Sequence, residues 1–134
     1  MKIDEIEGIG ATQASKLAEA GVTTTDDLLQ WGANPAGRAS LADTTGISAT
    51  LILEWVNHVD LMRIKGVGSE YSDLLEAAGV DSPSELAQRN AANLATTFAE
   101  VVAARPGIVR RTPSETEVAG WIAEAKGMDK VVEH

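Results

Sequence analysis

Cysteine is absent from the 134 residues, which excludes a disulfide framework and any thiolate metal site. Two histidines, His58 and His134, are too few to build a zinc cluster. No eighteen apolar residues run together, so no candidate membrane span exists, and the opening "MKIDEIEGIG" lacks an apolar run that could act as a secretory signal. The expectation is a soluble, cytoplasmic protein with no membrane association, no metal and no cofactor. Catalytic signatures are also missing. There is no nucleophile elbow, no carboxylate pair on a recognisable scaffold and no phosphate-binding P-loop, so an enzyme is not expected. Bases are scarce, with eleven Lys and Arg against twenty Asp and Glu, for a net charge of -9. Such a chain is repelled at long range by phosphate backbones and anionic lipid. The deficit is uneven. Residues 1–60 carry three bases against nine acids, a net -6, and residues 61–134 carry eight against eleven, a net -3. A local basic patch is therefore compatible only with the second half.

What the chain does have is enough apolar residue, 44%, to form a packed core, and an internal duplication. Shifted by 58 residues, "IEGIGATQASKLAEAGVTTTDDLLQWGA" lies over "IKGVGSEYSDLLEAAGVDSPSELAQRNA", with identities that include Ile6/Ile64, Gly8/Gly66, Gly10/Gly68, Leu17/Leu75, Gly21/Gly79 and Val22/Val80. Further along, the shift becomes 66, which pairs Ser48 with Ser114, Ile52 with Val118, Trp55 with Trp121 and Val56 with Ile122. The second copy therefore holds about eight extra residues, and "ARPGIVRRTP", Ala104 to Pro113, is where they are expected.

Capping residues fix the helical reading. In "DSPSEL", Ser82 takes an N-cap, Pro83 the first helical position and Glu85 the capping-box position; "TTTDDL" offers Thr24 and Asp27 at the same places. Gly21 and Gly79 end the preceding helices, because glycine accepts the left-handed conformation that follows a helix end. Asn34 caps a helix with Pro35 in its first turn and Gly46 at its stop. From Ser48, the apolar residues Leu51, Ile52, Trp55, Val56, Val59 and Met62 form a helical stripe. "RTPSETEVAGWIAEA" repeats it, with Thr112 and Pro113 as its start and Val118, Trp121, Ile122 and Ala125 as its stripe. No stretch alternates like a strand. Paired acids, Asp4-Glu5 and Asp26-Asp27, sit near helix starts, where the macrodipole favours them.

The two glycine turns have the pattern apolar-x-Gly-apolar-Gly. Glycines there permit positive φ and close approach, the apolar residues plug the core, and amides at the start of the next helix face outward as an anion site. This resembles the helix-hairpin-helix family, whose hairpin amides bind DNA or RNA backbone without reading sequence. Over the whole chain, "IKGVGSEYSDLLEAAGV" and "LILEWVNHVDLMRI" are also similar to a bacterial group known as domain-of-unknown-function family 4332, a resemblance that implies a fold and no activity. Helix-hairpin-helix proteins that grip phosphate usually place Lys or Arg two residues after the second glycine. This chain has Thr12 and Glu70 there. The resemblance thus implies a structural role for the first hairpin, Ile6, Gly8, Ile9 and Gly10, where Glu7 adds repulsion. The candidate phosphate-binding hairpin is the second, made of Arg63, Lys65, Gly66, Val67 and Gly68 with Arg110 and Arg111 nearby.

The expected fold is all-α, with two tandem helix-hairpin-helix repeats of four to five short helices each, packed as one pseudo-twofold unit. Repeat 1 spans 1–60 and repeat 2 spans 61–134, with a shared connecting helix at about 48–62. The first hairpin has only "MKIDEI" before it, so the Trp121 helix is expected to fold back beside that hairpin and close the core, within one chain or between two swapped chains. Trp55 and Trp121 read as core and His58 as exposed. A candidate partner surface is Trp31, whose counterpart is Arg89, with Tyr71 and Leu74, which widen the apolar face of their helix and for which packing between repeats is the preferred reading. The expected function is a non-enzymatic interaction module that binds or scaffolds protein, through an unidentified partner or self-association. The alternative is weak, sequence-independent nucleic-acid backbone binding through the second hairpin.

Overall fold

The same run of caps and glycines produces the same run of helices twice. A computed structural model describes residues 1–134. A short 3-10 helix, Ile3–Glu5, is followed by α1 (Ala11–Glu19), α2 (Thr25–Gly32), α3 (Pro35–Thr45) and α4 (Ala49–Leu61); α5 (Ser69–Ala77), α6 (Pro83–Leu86), α7 (Ala91–Ala104) and α8 (Glu115–Lys126) repeat the order. The fold is all-α. The sole β-type pairing is an isolated bridge between Lys2 and Thr24.

Each helix boundary has a local cause. Thr24 accepts from the Asp27 amide and the Asp27 carboxylate accepts from the Thr24 amide, a complete capping box for α2. Asn34 caps α3, which has Pro35 at its start and Gly46 at φ 73° as its left-handed stop. Ser82 caps α6 ahead of Pro83. Helices α1 and α5 end in matched Schellman motifs. Gly21 N–H donates to Ala18 C=O and Val22 N–H to Leu17 C=O, while Gly79 N–H donates to Glu76 C=O and Val80 N–H to Leu75 C=O. Helix α8 starts two residues later than its sequence suggests. Ser114, not Thr112 or Pro113, is the N-cap, because its hydroxyl reaches the Glu117 amide and Glu117 reaches back. The extra residues of the second copy fall in the connection between α7 and α8, Arg105 to Ser114, where the first copy needs only Gly46 to Ser48.

Two compact units result, Met1–Asp60 with Val131–His134, and Leu61–Lys130. The second unit's core gathers Leu61, Ile64, Val67, Leu74, Leu75, Val80, Leu86, Leu94, Phe98, Val109, Val118, Trp121, Ile122 and Ala125. Within it, α8 packs on α6 and α7, and α5 on α7. The first unit's core is built from matched residues, including Ile3, Ile6, Ile9, Leu17, Val22, Leu28, Leu41, Ile52, Trp55 and Val56, with Val132 from the C-terminal segment added.

Within the chain, the expected closure of the first hairpin by the Trp121 helix is not what forms. Trp121 belongs to the second unit's core. The first unit compensates for its missing helix in two ways. Its 3-10 turn is pinned to the start of α2, with Ile3 N–H donating to Thr23 C=O at 3.2 Å and Thr25 N–H to Met1 C=O at 3.0 Å. This puts Ile3 at the place that Leu61 takes in the second copy. Its other closing piece is Val131–His134, which sequence numbering had assigned to the second repeat.

Candidate functional site

The two glycine turns share one backbone. Ile9 N–H donates to Ile6 C=O at 3.1 Å and Val67 N–H to Ile64 C=O at 3.0 Å. Ile6, Ile9, Ile64 and Val67 are all buried, as the plugging role requires. Gly8 and Gly66 take φ of 89° and 91°, a region that glycine alone enters cheaply. The second glycine of each pair differs from expectation. Gly10 and Gly68 are extended N-caps, with φ of -84° and -96°, so neither needs positive φ. What the first glycine does besides turn the chain is to seat an indole. A Cβ on Gly8 would stand 3.8 Å from Nε1 of Trp55, and a Cβ on Gly66 would stand 3.2 Å from Nε1 of Trp121. Each tryptophan covers the turn of its own copy.

At the second turn, the positive groups already have carboxylate or carbonyl partners. Glu124 Oε2 accepts from the Lys65 amide at 3.0 Å, occupying a donor that an incoming phosphate would use. Glu70 accepts from both the amide and the Nε of Arg110, the latter at 3.1 Å. Glu117 takes Arg111 in a two-pronged pair at 2.6 and 2.9 Å. Arg63 donates to the Asp129 carbonyl at 3.1 Å. Of the bases proposed there, Lys65 alone leaves its exposed side chain to solvent; Gly66 and Gly68 beside it are also exposed. These pairs set the titration of the acids. Hydrogen bonds from the Arg111 side chain, then from the Ser114 amide, pull the Glu117 carboxyl down to about 2. The Arg110 amide holds Glu70 below its usual range, and the Thr23 amide does the same for Asp27. Glu117 raises the Arg111 guanidinium in turn.

The candidate partner surface separates into one exposed residue and two engaged ones. Leu74 is fully buried in the second core and cannot face a partner, because α5 sinks both members of its Leu74-Leu75 pair. Tyr71 is half-buried, with its ring 5.2 Å from that of Trp121 and its hydroxyl donating to the Arg111 carbonyl at 3.0 Å. Trp31 is 44% exposed, whereas Trp55 and Trp121 are 2% and 4% exposed. Its counterpart Arg89 bonds the Gly79 carbonyl and Glu85, so the matched position is internally used in one copy and open in the other. His58, read as exposed, is buried on α4 together with Asp60.

The domain of unknown function DUF4332 matches residues 7–128, nearly the whole chain. The chain belongs to this family. No curated protein and no solved structure matches it. DUF4332 membership thus accords with the duplicated helical fold and adds no activity to it. No helix is long and apolar enough to cross a membrane.

One group escaped the sequence reading altogether. Arg38 is a buried cation whose Nη1 donates to the Gly32 carbonyl at 2.8 Å and whose Nη2 donates to the Glu133 carbonyl at 2.7 Å. A single arginine within "PAGRASLADTT" carries no sign of burial. The available signal was the matched cap, since Arg38 stands four residues after Asn34 as buried Leu94 stands four after Asn90.

Proposed function

We propose that the chain is a non-enzymatic, cytoplasmic interaction module that binds or scaffolds protein, either an unidentified partner or a second copy. The observation that carries this reading is the internal neutralisation at the second turn. Glu124, Glu70 and Glu117 occupy the Lys65 amide, Arg110 and Arg111, so a phosphate backbone would have to displace three carboxylates to gain the same contacts. With a net charge of -9, long-range attraction cannot offset that cost. Trp31 supplies what protein partners use, an exposed aromatic with a polar edge, near the end of α2.

The second reading, weak nucleic-acid backbone binding without sequence preference, is favoured by exposed Lys65 beside two exposed glycines. One experiment separates the two. The protein is immobilised and partners are captured from host lysate with and without nuclease, using wild type, Trp31→Ala and Lys65→Glu. An interaction module keeps its protein partner after nuclease treatment and with Lys65→Glu, and loses it with Trp31→Ala. Partners that vanish with nuclease or with Lys65→Glu would reverse the ranking.

A further inference from the structure

Helix α2 ends without a left-handed glycine cap. Its C-cap, Ala33, stays right-handed at φ -63°, ψ -30°, unlike the glycine-stopped ends of α1, α3 and α5. The last carbonyls of a helix need donors, and a glycine motif normally provides them from the following turn. Here the donors come from elsewhere in the first unit. Arg38 Nη1 takes the Gly32 carbonyl and the Glu133 amide takes the Ala33 carbonyl at 2.7 Å. Arg38 Nη2 then donates to the Glu133 carbonyl at 2.7 Å, so both backbone groups of Glu133 are read at once. On one side Val132 is buried to 1% in the core, and on the other His134 Nε2 lies 2.9 Å from Asn57 Oδ1. The side chains of Val131 and Glu133 are exposed.

We propose that the end of α2, Arg38 and Asn57 form a peptide slot that reads main chain, with Val131–His134 as its resident ligand. An incoming partner is an extended protein segment of the same pattern, a valine-sized residue, then any residue, then a hydrogen-bonding side chain. The resident latch stands on the geometry alone; exchange with a partner segment rests also on the reading of the chain as an interaction module. Specificity lies in the apolar residue and in the amide and carbonyl that follow it, not in the acid side chain between. A tethered ligand has the advantage of effective concentration in the millimolar range, so a free peptide competes poorly with the wild-type tail and well once that tail is disabled.

The test uses full-length protein and amide hydrogen exchange followed by NMR. Glu133→Ala keeps both main-chain bonds and should leave exchange at Ala33 to Arg38 within about twofold of wild type. Glu133→Pro removes the amide, and Val132→Asp removes the apolar anchor; each should speed exchange there by about tenfold or more. Val132→Ala, a milder change, should fall between. A capped peptide of sequence DKVVEH at about 1 mM, added to the Val132→Asp chain, should shift the Ala33, Arg38 and Asn57 signals and restore protection. The same peptide with proline for its glutamate should do neither. Equal exchange in Glu133→Pro and Glu133→Ala, whether both fast or both slow, overturns the main-chain latch. A latch that behaves as described with no response to the peptide overturns exchange and leaves no partner role for the slot, without touching Trp31.

Discussion

Trp121 lies against Gly66 so closely that a Cβ on the glycine would come within 3.2 Å of the indole Nε1. The pair Trp55 and Gly8 repeats the relation at 3.8 Å. A turn residue and a core residue sixty positions later or less are thereby coupled in each copy, and the coupling explains why both turns keep glycine first. The positive φ and the indole make separate demands. Their separation can be measured.

Gly8→Ala meets the backbone penalty alone, about 1–2 kcal/mol for a left-handed residue. Gly66→Ala meets the same penalty with the indole at a distance that forces a shift, and should lose about 1–3 kcal/mol, more than Gly8→Ala. Gly68→Ser should be neutral or stabilise by up to about 1 kcal/mol, because Gly68 is an extended N-cap with open space around it. Urea denaturation of the three variants checks the order. Equal losses at Gly66 and Gly68 would show that φ and the indole are not what hold these glycines.

Much of the fold was legible because its signals are local. Thr24, Asn34, Ser82, Gly21, Gly79 and Gly46 act within four residues of themselves, so their types and spacing suffice to place helix ends. What failed was non-local. Arg38 is buried by an alliance with residue 133, and no spacing rule connects positions 95 apart. Trp121 was assigned to the wrong turn because a repeat tells which residues correspond and not which of two equivalent surfaces each one covers. His58 was misplaced because α4 buries more of its circumference than the single apolar stripe from which exposure was read, and of the two readings open for Leu74 its burial favours packing. At the candidate site, the basic residues were visible in sequence, while the acids that occupy them come from elsewhere in the fold, Glu70 from α5 and Glu117 and Glu124 from α8.

The three tryptophans should divide by role. Trp55→Ala removes a buried side chain and should cost about 3–5 kcal/mol, whereas Trp31→Ala should stay within about 0.5 kcal/mol. Iodide should quench one fluorescence component of the wild type and none of comparable size in Trp31→Ala. A large stability loss at Trp31 would assign it to the core and remove it from the partner surface.

Acid should weaken the second unit through Glu117. Its carboxyl is held down to about 2 by the Arg111 pair, below the 4.5 of an unperturbed glutamate. A depressed folded-state value means that its contribution is complete above the unfolded value and is lost as pH falls toward the folded one. Stability should therefore decline between about pH 4.5 and pH 2, and Glu117→Gln should flatten that part of the curve while lowering stability at neutral pH. An NMR titration of the Glu117 carboxyl gives the direct check. A midpoint at the ordinary glutamate value would mean that the Arg111 pair does not persist in solution.

The last prediction concerns the amide of Lys65, which separates a structural turn from a masked phosphate site. Glu124 fills that amide at 3.0 Å, and glutamine keeps an oxygen that accepts there, so Glu124→Gln deletes the negative charge and loosens the hold on the donor. Glu124→Gln should make the turn more receptive to an anion if anion binding is its purpose. Even then Arg110 and Arg111 remain paired to Glu70 and Glu117, which leaves Lys65 as the main cationic contact. One neutralised phosphate corresponds to a slope of log affinity against log salt of about -0.9 on duplex DNA, and four contacts would give no more than about -3.6. The interaction-module reading therefore expects both wild type and Glu124→Gln to bind a labelled duplex no tighter than about 10⁻⁴ M at physiological salt, with a shallow slope. Anisotropy titrations across a salt series measure both quantities. Sub-micromolar, salt-sensitive binding that appears with Glu124→Gln and disappears when Lys65→Glu is added would make Glu124 a gate on a working phosphate site, and would put nucleic acid ahead of protein as the partner.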